Sequence, residues 1–153
     1  MQIGVISDTH GLLRPEALAV LRDASVEHIL HAGDIGNYDI LITLRTIAPV
    51  TAIRGNVDIH GACAELPATE MVELGGVFFY LVHSVRDLDL NPAASGISVV
   101  VSGHSHQPGM ETQKGVLYLN PGSAGPRRFQ LPITLAMLTV KNGTPTARIL
   151  QLL

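Results

Sequence analysis

Apolar residues fall along this chain in short runs, and the period of the runs changes from the first half to the second. Gln2-Ile3-Gly4-Val5-Ile6 is a compact apolar run bounded by a loop, which predicts a buried first strand. Pro15 suits a first helical turn, where its missing N–H costs nothing. The run Glu16–Asp23 then places Leu18, Leu21 and nearby alanines on one helical face. Glu27–Ala32 predicts a second strand ending at Gly33-Asp34, and Tyr38–Thr46 a second helix with Ile40, Leu41, Leu44 and Ile47 apolar. Val50–Arg54 predicts a third strand ending at Gly55-Asn56. Strand, helix, strand, helix, strand implies right-handed crossovers and a parallel sheet. Beyond residue 68 the helical period fades. Glu70–Leu74 and Val77–Val82 predict two strands joined by the hairpin signal Gly75-Gly76. Asn91-Pro92-Ala93-Ala94 is able to open a short helix, and Ile97–Val101 is a continuous apolar strand ending at Gly103-His104. Gly109–Thr112, Val116–Leu119, Pro132–Val140 and Thr146–Leu150 are further strand candidates, with Lys114-Gly115 and Asn142-Gly143 as turns. No repeat, low-complexity linker or internal boundary interrupts the pattern. The expectation is one α/β domain over residues 1–153, two packed sheets with a few outer helices.

Composition narrows this without changing it. The chain has 153 residues, the size of one ordinary domain, and 46% are apolar, enough for a sizeable core. Aromatic residues are only 4% and Trp is absent, so Val, Ile, Leu and Ala must fill that core. Net charge is −3 and no Lys/Arg cluster stands out beyond Arg127-Arg128, which argues against dedicated nucleic-acid binding. A small phosphorylated substrate stays open, because bound cations supply positive charge. Cys63 is the only cysteine, so no intrachain disulfide forms. No signal peptide opens the chain, and no apolar run approaches the roughly 18–20 residues that span a bilayer. The expectation is a cytoplasmic protein. A charged fraction of 15% leaves room for a homo-oligomer interface.

The chemistry sits immediately after the predicted strands. Asp8 and His10 follow the first, Asp34 the second, Asn56 the third. His83 ends Phe78–Val82, and His104 and His106 follow Ile97–Val101. Ligands of open α/β sheets bind outside the carboxyl ends of the strands. Asp8 and His10 lie two apart, which in extended chain turns both side chains to one side. Two aspartates, one asparagine and four histidines are seven oxygen or nitrogen donors. With one carboxylate shared, that number serves two metals rather than one. Two cations roughly 3.5–4 Å apart clamp the attacking and leaving oxygens of a phosphate ester and acidify a water. The absence of cysteine ligands disfavours structural zinc and favours Mn, Fe, Zn, Ni or Mg in open coordination. Gly33, Gly55 and Gly103, each just before a donor, allow tight turns and close backbone approach.

Taken in order, Asp8-Thr9-His10, Gly33-Asp34, Gly55-Asn56, His83 and Gly103-His104-Ser105-His106 resemble the calcineurin-like metallophosphoesterase superfamily. The length, Asn56-Val57-Asp58 and Asn120-Pro121-Gly122-Ser123 resemble its small single-domain prokaryotic phosphodiesterase branch. The resemblance covers essentially the whole chain. It implies a four-layer αββα sandwich of two mixed sheets flanked by helices, around a binuclear centre of two divalent ions, manganese first among them. It implies that Asp8, His10 and His106 hold one metal, that Asn56, His83 and His104 hold the other, and that Asp34 bridges them. A bridging hydroxide then attacks phosphorus in line, with Asp8, Asp34, Asn56, His83 and His104 as the catalytic set, on a small phosphodiester substrate.

The chain departs from the family pattern at two places. Many relatives carry a histidine where Val57 stands, and valine transfers no proton; diesters with acidic leaving groups need such help least. Relatives often read His-Gly-His where this chain reads His83-Ser84-Val85. These losses keep a second class in view, a scaffold or binding module on the same fold, of which the retromer scaffold subunit is an example. Asp58 and His60 are candidate substitutes for the missing acid, His60 also reading as a solvated loop residue. His31 reads as a packed strand residue or as a hydrogen-bonding support of the ligands. Asn120–Ser123 reads as backbone donors to a phosphate or as a turn supporting Asp8 and His10. Arg127 and Arg128 read as substrate contacts or surface charge, Cys63 as an inert loop residue, and His28 as solvent-exposed.

Overall fold

The computed structural model describes residues 1–153 and contains two five-stranded sheets packed face to face. The first sheet is built from β1 (Gln2–Ile6), β2 (His28–His31), β3 (Val50–Ala52), β9 (Thr134–Lys141) and β10 (Thr144–Gln151), in the order β10-β9-β1-β2-β3. The second is built from β4 (Thr69–Leu74), β5 (Val77–Val82), β6 (Val99–Val101), β7 (Gly109–Gln113) and β8 (Val116–Asn120), in the order β4-β5-β6-β8-β7. Both are mixed. β1, β2 and β3 run parallel, as do β5, β6 and β8, while antiparallel partners complete each sheet.

Period-two alternation in β1 sends Ile3 and Val5 into the space between the sheets. There they meet Phe79 and Leu81 of β5, Val99 and Val101 of β6, and Leu138 of β9. Ile6 faces the other way, into a second core beneath α1 (Pro15–Asp23) and α2 (Asp39–Arg45). Pro15 opens α1, and Ala17 and Leu21 are its buried residues; Ile40, Leu41 and Leu44 anchor α2. Leu, Ile, Val and Ala dominate both cores, as the scarcity of aromatics requires.

The helical flanking is uneven. A short α3 (Gly61–Ala64), which no periodicity announced, joins the first sheet's outer layer and buries Cys63 there, so this cysteine is a core residue and not a loop one. The outer face of the second sheet carries only a 3-10 turn (Val85–Asp87) and a turn-rich segment whose Leu88, Leu90 and Ile97 pack on Tyr80 and Val100. Asn91–Ala94 opens no helix. Ser95 N–H donates to Asn91 O and Ile97 N–H to Pro92 O, and Gly96, at φ +76°, turns the chain into β6. His28 is half-buried rather than exposed, with Nε2 at 2.8 Å from Thr51 Oγ1. No helix is long and apolar enough to cross a membrane.

Candidate metal centre

All six parallel strands deliver residues to one place. The chain beyond β1 carries Asp8 and His10, beyond β2 Asp34, beyond β3 Asn56, beyond β5 His83, and beyond β6 His104 and His106. β8 ends in Asn120, which supports the group from behind. The donors form two sets whose ligand atoms lie within 4.8 Å of one another: Asp8, His10 and His106, and Asp34, His83 and His104. Asp8 Oδ2 accepts from Ser7 Oγ at 2.8 Å and from the His104 N–H at 3.1 Å. That leaves Asp8 Oδ1 facing His106 Nε2 at 3.4 Å, His10 Nε2 at 3.6 Å and His83 Nε2 at 3.9 Å. Asp34 Oδ1 accepts the Val57 N–H at 3.0 Å, while its Oδ2 lies 3.2 Å from His83 Nε2 and 3.5 Å from His10 Nε2. Asp34 therefore stands between the two sets. Asn56 Oδ1 is 3.2 Å from His104 Nδ1, and the His10 and His106 Nε2 atoms are 3.2 Å apart.

His83 Nδ1 lies 2.7 Å from Ala32 O, a pure acceptor, so Nδ1 carries a proton and Nε2 is the nitrogen that faces the cluster. Burial works against the Asp34 carboxylate, but His83, the Val57 N–H and His10 outweigh it and hold its pKa down at about 2. Burial likewise opposes charge on His83, yet Asp34 and Ala32 O raise its pKa. Burial lowers that of His106, with Asp8 opposing and Arg128 and His10 adding to the effect.

The strand tips are not extended chain. Asp8, His10, Asp34, His104 and His106 all sit at positive φ, between 45° and 71°. Asp8 and His10 thus reach one cluster through left-handed turns and not through the period of two that their spacing suggested. Non-glycine residues adopt this region at a cost and gather at functional sites.

Comparison with known proteins shows the family. The calcineurin-like phosphoesterase superfamily domain matches residues 1–143. The chain belongs to that superfamily. A probable metallophosphoesterase of Methanothermobacter thermautotrophicus is 35% identical, the match covering 99% of this chain and 98% of that one. The structure of a novel archaeal phosphodiesterase superposes with a TM-score of 0.81 at 25% identity, covering 98% of this chain and 100% of that one. Vps29 of Entamoeba histolytica, in complex with Zn2+, shares the fold with a TM-score of 0.75 at 20% identity, covering 99% of each chain.

Around the phosphoesterase cluster the structure assigns several residues that the sequence left open. Asp58 is 4% exposed and not free to act as an acid. Its carboxylate accepts the N–H groups of Ile35 and Gly36, just after Asp34, and of Gly55, just before Asn56. It ties the second and third ligand loops together. His31 is fully buried: Nδ1 accepts the Gly33 N–H at 3.1 Å, and Nε2–H donates at 3.1 Å to Thr9 Oγ1, whose own proton goes to Ile35 O. Asn120 Nδ2 donates to Gly103 O and Ser105 Oγ, and Ser123 Oγ to Asp8 O, so Asn120–Ser123 is a supporting turn. Gly103 and Gly55 are fixed by close approach. A Cβ on Gly103 would land on Ser7 Oγ and Asp8 Oδ2, and one on Gly55 on Asp34.

The two departures lie at the cluster's edge. Val57 is 42% exposed and contributes only its N–H; Val85 is exposed and opens the 3-10 turn. His60 is exposed at the start of α3, outside the cluster's contacts. Arg127 is exposed and bonds Leu131 O, whereas exposed Arg128 lies close enough to His106 to disfavour its protonation.

The donor set fits divalent metal. Four buried side-chain polar atoms in the protein lack a hydrogen-bond partner, and Asp8 Oδ1 and His83 Nε2, both facing the cluster, are two of them. Burying unpaired polar atoms costs roughly 1–3 kcal/mol each. Their concentration among oxygen and nitrogen donors, with no thiolate, is the chemistry of a cation site of open coordination.

Proposed function

We propose that the chain is a divalent-metal-dependent phosphodiesterase acting through a binuclear centre. The observation that carries this reading is the placement of Asp34 Oδ2 between His83 and His10, one from each set of three. Asp8, His10 and His106 hold one ion in this reading, Asn56, His83 and His104 the other, and Asp34 is shared. When bound, the cations supply Lewis-acid neutralisation of phosphoryl charge and a water acidic enough to attack as hydroxide. The chain's own residues set the geometry. Ala32 O fixes the His83 tautomer, Ser7 and the His104 N–H aim Asp8, and the Val57 N–H aims Asp34. Val57 gives the leaving oxygen no proton, which favours diesters with acidic leaving groups over monoesters. Mn is the first expectation, with Ni, Zn, Fe or Mg as alternatives, in a single domain of residues 1–153.

The test is hydrolysis of a nitrophenyl phosphodiester and the matching monoester by metal-stripped protein, with Mn, Ni, Zn and Mg added back. Diester cleavage should exceed monoester cleavage and require metal. Asp34→Asn should reduce kcat by about a hundredfold or more. Stoichiometric metal binding with no turnover under any ion would overturn the enzymatic reading in favour of a binding module.

A further inference from the structure

A cavity of about 500 Å3 opens on the flank of the cluster formed by Asn56, His83 and His104. Arg54 borders it at the end of β3, and Arg86 and Asp87 border it from the 3-10 turn after β5. Only 2 of its 11 lining residues are hydrophobic, and two of the others are arginines. Arg54 is exposed, with Nη1 tied to Leu66 O, which holds the guanidinium while other N–H donors remain. No ion pair of the molecule involves Arg54, Arg86 or Asp87, although all three border the same space.

Two guanidinium groups beside a cation centre repel it unless an anion joins them. Guanidinium is the side chain whose planar fork matches phosphate oxygens in pairs. Val57, which has no proton to give, does not line this cavity. The geometry points to an anion subsite: Arg54 and Arg86 bind a second phosphate carried on the retained arm of the diester. Preferred substrates are then diesters with a further terminal phosphate. This rests on the phosphodiesterase reading. Asp87 opposes the anion and tempers the preference.

Two compounds with one leaving group test it: the nitrophenyl ester of thymidine monophosphate, with and without a phosphate on the 3′ hydroxyl. With metal-loaded protein, the 3′-phosphorylated compound should show kcat/KM about tenfold or more higher, chiefly through KM. Arg86→Ala, an exposed change, should collapse that ratio, Arg54→Gln should lower it, and Asp87→Asn should raise it. Calorimetry of metal-loaded protein with thymidine bisphosphate against thymidine monophosphate gives a second readout, in which the arginine variants should erase the bisphosphate's advantage. Equal kcat/KM for the two compounds, or a ratio that survives Arg54→Gln combined with Arg86→Ala, overturns the subsite. Turnover of neither compound under any metal overturns the phosphodiesterase reading instead. The binding comparison then decides the subsite alone: equal affinity overturns it, and an advantage lost in the variants supports it.

Discussion

His31 shows how much of the centre depends on a residue outside it. Burial holds its imidazole neutral, with the pKa lowered from 6.5 to about 4, although Asp8, Asp58 and Asp34 pull the other way. Between those values the unfolded chain binds more protons than the folded one, so stability rises with pH. The contribution is fully present above about 6.5 and is lost as pH falls towards about 4. It amounts to something on the order of 3 kcal/mol. In His31→Gln this pH dependence should vanish, and the variant should be weaker near neutrality because glutamine does not serve both Gly33 and Thr9. Urea midpoints of the two proteins between mildly acid and neutral pH check this, and parallel profiles would count against it. The seven donors were legible in sequence because each is a polar residue set directly after an apolar strand. The roles of His31 and Asp58 were not, because they are contacts across 22 and 23 residues of chain. Nothing local distinguishes a buried His31 that bonds Thr9 from one that only packs.

At the scale of elements, the strand tips are the costly parts. Each left-handed non-glycine residue carries roughly 1–2 kcal/mol of backbone strain, and five of them surround the cluster. Glycines in the turns of this chain are required for two different reasons, and substitution separates them. Gly103 has ordinary φ but no room, because its Cβ would meet Ser7 and Asp8. Gly143, in the turn between β9 and β10, has room and φ +74°. Gly103→Ala should cost about 3 kcal/mol or more, and Gly143→Ala about 1 kcal/mol. Chemical denaturation of both variants measures the order, and equal losses would refute the distinction. The strands were readable because apolar runs and Gly-containing turns mark them well. α3 was not, since four residues are too few to display a helical period. The period-two reading of Asp8 and His10 failed because the strand stops at Ile6 and the tip turns left-handed.

For the whole molecule, the two sheets meet twice: through the apolar layer between them, and through the cluster. Asp8, His10, Asp34 and Asn56 come from the first sheet; His83, His104 and His106 come from the second. Cations held by this set bind the native arrangement and not the unfolded chain. At a free ion concentration one hundred times Kd, each occupied site should add about 2.7 kcal/mol to stability. Thermal melts of the metal-stripped protein with increasing Mn or Zn should move upward with concentration, and more strongly than those of Asp34→Asn. A melting temperature indifferent to metal would contradict the site. The pattern of strands and donors disclosed this convergence, but not which sheet supplied which donor, because strand order is settled by packing rather than by sequence neighbours. With donors on both sheets, ions bound as proposed would be rivets as well as reagents. Chelation would then do more than stop turnover. It would loosen the joint between the sheets and expose the chain to proteases, so a cell short of metal would lose the protein itself as well as its activity.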